Sequence, residues 1–219
     1  MIQILLVPLH SEFYYNIMMR IFKSVFSQCG RPDGFLGRMV LRSMNLFHAP
    51  VTNWGLGYVD FKAGMKMLDI GCGGGATLKR LLNRSADSMV YGIDISEESV
   101  AKARKVNSKL LDKQVFIQTG SAEKLPWNDN TFDIVTAVET VYFWPNIEKC
   151  FTEVKRVLKP DGQFAVIVEV TSKDSAWTNL VDGMTAYSVD QLKGILEKAG
   201  FTEFDIHNKK SSHTVIIAK

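Results

Sequence analysis

The sequence predicts an α/β protein: a doubly wound, mostly parallel seven-stranded sheet whose last strand runs antiparallel, preceded by a helical N-terminal extension. Three observations predict it. From about Lys66 onward, apolar strand-like runs alternate with stretches of helical period, as βαβ repetition requires. One late run, Phe164–Val170, is too continuously apolar to have a solvent face, as a central parallel strand covered on both sides demands. The last two strand-like runs are joined by too few residues for a parallel crossover, so they pair antiparallel.

The elements follow in order. Residues 1–64 show no strand pattern and form the expected helical extension, an active-site lid, ahead of a sheet domain at 65–219. Ile17, Ile21 and Val25, with Met18, Phe22 and Phe26, make an apolar helical face in which Arg20 and Lys23 are set; a second helix is expected between about Leu36 and Phe47. Met65–Ile70 is the first strand, running into glycines, and Leu78–Leu82 begins a helix. Met89–Ile95 is the second strand. Ser96-Glu97-Glu98 then reads as a helix start with early acids, and that helix should run to about Leu110. Val115–Gln118 and Phe132–Val138 are the third and fourth strands. Ile147, Phe151, Val154 and Leu158 fall at i, i+4, i+7 and i+11, giving a helix over Ile147–Leu158 that the turn Pro160-Asp161-Gly162 stops before the fifth strand. Ser188–Ala199 is a helix closed by Gly200, and Glu203–His207 and Thr214–Ala218 are the final pair, connected through Asn208–Ser212.

Composition excludes several classes. The 219 residues are 46% hydrophobic and 22% charged, ordinary for a globular protein and against wholesale disorder. The net charge of +3 is far from the concentrated positive field of a nucleic-acid binder. Cys29, Cys72 and Cys150 make neither a disulfide framework nor a zinc pattern. Met1–Leu9 is apolar but lacks a basic leader and a cleavage site, and no apolar run approaches the ~18 residues that span a bilayer. The expectation is a cytoplasmic protein with no membrane insertion.

The most informative stretch is Leu68-Asp69-Ile70-Gly71-Cys72-Gly73-Gly74-Gly75-Ala76. A glycine-rich turn between a strand and a helix lets backbone approach a ligand and aims free N–H groups at it. Two ligand types compete. Gly71-x-Gly73-x-x-Ala76 satisfies the dinucleotide fingerprint, with Asp94 about twenty residues on as a ribose acid, which would make the chain an NAD(P)-dependent oxidoreductase. The same loop also reads Asp69-x-Gly71-x-Gly73-x-Gly75, in which an acid stands beside the turn. That acid repels a pyrophosphate and suits the cationic amino group and sulfonium of S-adenosylmethionine.

Further along come Gly120-Ser121-Ala122-Glu123-Lys124-Leu125-Pro126-Trp127, then Phe132-Asp133-Ile134-Val135, a strand ending at Glu139, and Glu153-Val154-Lys155-Arg156-Val157-Leu158-Lys159-Pro160-Asp161-Gly162. This succession resembles the class I (Rossmann-like) S-adenosylmethionine-dependent methyltransferases, and within them the small-molecule branch that includes quinone-pathway enzymes. The resemblance covers roughly residues 66–170 and implies the strand order 3-2-1-4-5-7-6. It implies that Gly71, Cys72, Gly73 and Gly75 line the methionine part of the cofactor with Asp69 near its amino group. Asp94 would hold the ribose hydroxyls, Ile95 the adenine face, Ser121 and Ala122 the adenine edge, and Glu139 the place where cofactor and acceptor meet. Family members commonly carry an acid at the position of Ser121, and Glu123 is the substitute nearby.

Methyl transfer from a sulfonium needs alignment more than covalent chemistry. A base is needed only for a hydroxyl, protonated amine or carbon-acid acceptor, and His48, Glu139 and Tyr142 are the candidate catalytic residues. Tyr142, Phe143 and Trp144 offer aromatic faces to the sulfonium region, or else pack a helix on the sheet. No acids and histidines sit at ligand spacing, so no metal is expected. The short stretch Thr171–Tyr187 leaves little material for a protein- or RNA-binding module and favours a small acceptor. The face at Ile17–Phe26 is read as a lid; a homodimer contact or a membrane-surface module are the alternatives.

Overall fold

In the computed structural model, residues 39, 47–169, 183–209 and 213–219 are described. Strands β1 (Lys66–Ile70), β2 (Met89–Asp94), β3 (Val115–Thr119), β4 (Phe132–Val138), β5 (Leu158–Val168), β6 (Phe204–Lys209) and β7 (His213–Ala218) form one sheet in the order β3-β2-β1-β4-β5-β7-β6. The first five are parallel to one another, and β7 is antiparallel to both β5 and β6. This is the expected topology, including the reversed last strand.

Helices cover both faces. α1 (Ala49–Gly55), α2 (Ala76–Leu82) and α3 (Glu97–Val106) lie on one, and α4 (Ile147–Val157) and α5 (Val189–Lys198) on the other. Alternate residues of the central strands feed the two cores: Met67, Ile134 and Ile167 one, Leu68, Val135 and Val166 the other, each fully buried. The continuous apolar run of β5 follows from this double burial.

The element ends carry their own reasons. Ser96 caps α3 by accepting from the Ser99 N–H at 3.2 Å. The helix stops at Val106, four residues before the expected Leu110, because Asn107 turns its Nδ2 back to the Ala103 and Gly75 carbonyls at 2.9 and 3.0 Å. Ser188 and Gln191 close a reciprocal capping box on α5. At the far end of α5 Gly200, at φ 93°, donates to Glu197 while Phe201 donates to Leu196.

One expectation needs correction. The turn Pro160-Asp161-Gly162 does not precede the fifth strand; it lies within β5, as an irregularity between the pairs Phe132–Leu158 and Ile134–Gln163. Leu158 ends the helix by pairing with Phe132, so strand pairing resumes before the turn is complete. Packing is continuous across residue 64. Val51 and Leu56, each 1% exposed, belong to the same core as Met67 and Ile167. The apolar face at Ile17–Phe26, nearly all of the Leu36–Phe47 helix, Cys29 and Val170 lie outside the described residues.

Candidate active site

The glycine turn is tied down at both ends. The N–H groups of Gly71 and Cys72 donate to the Ile93 carbonyl at 2.8 and 3.1 Å, fixing the exit of β1 against β2. Gly71 has φ 72°, and a Cβ there would lie 2.0 Å from Thr140 Oγ1. Gly75 has a different reason: with φ 78°, its Cβ would meet the Ala103 backbone at 2.8 Å, so glycine lets α2 start against α3. The Gly73 N–H donates to Asp94 Oδ2 and the Ser96 N–H to Asp94 Oδ1, both at 2.9 Å.

A cavity opens at the carboxyl edge of the sheet, where ligands of open α/β sheets bind. Gly71, Cys72 and Gly73 line it after β1, Asp94 and Ile95 after β2, Ser121 and Ala122 after β3, and Glu139 after β4. His48 closes it from the foot of α1. That residue is pinned through its carbonyl, which accepts from the Thr52 N–H at 2.9 Å and from Thr52 Oγ1 at 2.6 Å.

Three expected site residues stand behind this wall. Asp69 is 2% exposed and accepts from Thr136 Oγ1 at 2.7 Å. Gly75 serves helix packing, as above. Tyr142 is 4% exposed on a short 3-10 turn, Val141–Phe143, with its hydroxyl bonded to the Glu139 carboxyl. Its neighbours Phe143 and Trp144 do reach the cavity.

Burial dominates the electrostatics. It pushes Asp69 up to about 7, against the Thr136 hydrogen bond. It raises Asp94 too, opposed by the Ser96 and Gly73 backbone donors. Glu139 is raised well above the ordinary carboxyl range, by burial and then by Glu169. The Cys72 thiol is pushed up, so it is a neutral wall atom. Burial lowers His48, with Glu169 opposing, which leaves a neutral imidazole at pH 7.

Glu139 has a left-handed backbone, φ 55°, unusual for a non-glycine residue, and its N–H donates to the Ile167 carbonyl at 2.9 Å. Its Oε1 is buried with no hydrogen-bond partner. Ser99, Arg80, Thr140 and Glu169 were missed by the sequence reading. Ser99 stood one helical turn after the cap Ser96, a signal that could have placed it; Glu169 sat inside an apolar run with no signal at all. Ligand atoms of His48, Glu139 and Glu169, a group the sequence reading did not bring together, all lie within 4.8 Å of one another. These residues are far apart in sequence, so no local spacing could reveal the group.

Residues 68–166 match the family described as a methyltransferase domain. A sterol 24-C-methyltransferase of Gibberella zeae is 39% identical over 110 residues, 49% of this chain and 28% of that protein. A methyltransferase of Streptomyces halstedii is 32% identical over 152 residues, 65% of this chain and 54% of that one. A S-adenosylmethionine-dependent methyltransferase structure from Aquifex aeolicus superposes with a TM-score of 0.67 at 26% identity, covering 81% of this chain and 97% of that chain. Residues 68–166 thus form a methyltransferase domain, and the sheet around it has the fold of a class I S-adenosylmethionine-dependent methyltransferase. It spans about half or less of the length of the curated relatives named here.

This match sets aside the nicotinamide alternative, and the cavity fits S-adenosylmethionine on its own terms. Each Asp94 oxygen uses one acceptor site on the backbone and keeps another, two sites for two ribose hydroxyls. The Ser99 hydroxyl stands beside them, close enough to Asp94 to oppose the rise that burial causes. Ile95, 51% exposed on the cavity wall, leaves an apolar face for a base to cover. Among the described residues no helix is long and apolar enough to cross a membrane.

Proposed function

We propose that this protein transfers the methyl group of S-adenosylmethionine to a small-molecule acceptor by in-line displacement. The observation that carries the reading is the order of groups along one cavity: a ribose-type acid, Asp94, at one end and an acid with an unpartnered oxygen, Glu139, at the other. S-adenosylmethionine supplies the activated methyl group on its sulfonium.

Asp94 and Ser99 hold the ribose, Ile95 covers the adenine, and Ser121 and Ala122 border it. Gly71, Cys72 and Gly73 accept the methionine portion at backbone distance, and Asp69 stands behind them, its carboxyl raised to about 7 by burial and drawn to ionise by the ammonium. Arg80, on the same wall, offers a guanidinium to the carboxylate. Phe143 and Trp144 exclude water from the transfer path and face the cationic region. His48 and Glu139 meet the acceptor, the neutral imidazole presenting a lone pair; Tyr142 acts through Glu139 as a positioning residue. The Gibberella zeae relative's name, a sterol methyltransferase, supports a small organic acceptor, as does the absence of a net basic charge large enough for nucleic acid. A cytoplasmic location and a homodimer remain readings of the sequence that this proposal does not need.

Isothermal titration of S-adenosylhomocysteine tests the reading, with NADH as the control. One bound S-adenosylhomocysteine per chain is expected, weakened about ten- to a hundredfold in Asp94→Ala, which removes charge-assisted hydrogen bonds of about 1.5–3 kcal/mol. Binding of NADH and not S-adenosylhomocysteine would overturn it.

A further inference from the structure

The three ligand-bearing side chains at the acceptor end come from three separate elements. His48 precedes α1, Glu139 follows β4, and Glu169 follows β5. Glu139 is 9% exposed, and His48 and Glu169 are half-buried. Two carboxylates and an imidazole converging away from solvent are costly unless a cation joins them.

The two carboxylates are also held from behind. The Tyr142 hydroxyl bonds the Glu139 carboxyl. His213 Nε2 lies 2.9 Å from Glu169 Oε1, and the Trp54 ring packs edge-on against His213 at 6.3 Å. Outer partners of this kind orient metal ligands in built sites. The second observation, independent of the clustering, is Glu139 Oε1, a buried oxygen with no hydrogen-bond partner whose residue adopts a left-handed backbone at the end of its strand. The Glu139 carboxylate belongs to the cluster, and this oxygen of it has nothing to accept from.

We propose that His48, Glu139 and Glu169 form a divalent-cation site at the acceptor end of the methyltransferase cavity. One nitrogen and two carboxylate oxygens suit Mn²⁺, Fe²⁺ or Zn²⁺ better than Ca²⁺, which prefers an all-oxygen cage of six to eight ligands. Metal–ligand bonds of about 2.0–2.2 Å place opposite donors about 4.3 Å apart. A spread of up to 4.8 Å therefore closes with small side-chain rotations. Three protein ligands leave coordination positions for the acceptor, and His48 and Glu139 both line the cavity. The acceptor class that completes the shell is a compound with two neighbouring oxygen atoms able to chelate. This last point rests on the methyl-transfer reading; the cation site does not.

The test uses the full chain stripped with a chelator and titrated with Mn²⁺, followed by the loss of the free-ion electron paramagnetic resonance signal. One Mn²⁺ per chain is expected, weakened more than about tenfold in Glu169→Gln and in Glu139→Gln and unchanged in His207→Gln, a histidine paired with Asp205 elsewhere on the sheet. Far-UV circular dichroism and a urea midpoint for each variant report that it is folded. No Mn²⁺ or Zn²⁺ binding at millimolar concentration overturns the proposal, as does equal binding by wild type and Glu169→Gln. Failure of wild type to bind S-adenosylhomocysteine would count against the methyl-transfer reading alone, because the cation arm is read without it.

Discussion

Asp69 shows how a single residue can be legible in the sequence while its circumstances are not. Its place before the glycine turn marked it as an acid at the cofactor loop; the fold puts it behind the loop, bonded to Thr136 and held up to about 7 mainly by burial. Because the folded value is raised, the contribution to stability is complete below the unfolded value of about 4 and is lost as the pH rises through about 7. Asp94 and Glu139 are raised in the same direction. The cofactor-free protein is therefore expected to lose stability between about pH 5 and about pH 8, by urea midpoints at each. Asp69→Asn keeps an oxygen for Thr136 and should recover part of that loss, at most about 4 kcal/mol. An unchanged pH dependence in the variant would mean that Asp69 is ionised throughout. Gly71 belongs to this scale too: Gly71→Ala places a methyl group on Thr140 at a positive φ and should cost about 1–3 kcal/mol, read from the same midpoints.

At the scale of elements, end signals worked where the partner was local. Ser188 with Gln191, and Gly200 after α5, could be read directly because a cap needs only residues within one turn. Ser188→Ala should cost about 1 kcal/mol by thermal or urea unfolding. The end of α3 was misjudged because its stop signal is tertiary: Asn107 is held by the Gly75 carbonyl, on another element. The turn inside β5 was misplaced for the same kind of reason. Pro160 and Gly162 announce a turn, but only the pairing of Leu158 with Phe132 decides that the strand has already begun.

Across the whole molecule, α1 is part of the sheet's packing. Gly55 lies so close to Ile167 that a Cβ would be 2.8 Å from its side chain, and Leu56 is 1% exposed. Leu56→Ala should therefore cost about 2–5 kcal/mol of global stability, as for any core position. A loss below about 1 kcal/mol in equilibrium unfolding would mean that this segment opens independently. Through the same packing, His48 is carried to the cavity wall by a helix that the core holds in place.

The sequence by itself determined the seven strands, their alternation with helices, the antiparallel end and the cofactor loop. Each of these depends on period, on turn residues, or on a motif whose members lie within a few residues of one another. Tertiary structure alone decided which side chains share the far end of the cavity. Asp94 was readable because it ends a strand beside the loop it bonds, whereas Glu169 meets Glu139 and His48 only because β4 and β5 pair and α1 packs across them. Strand register and helix docking set those distances, and they arise from burial summed over the whole sheet, which no local stretch of sequence records.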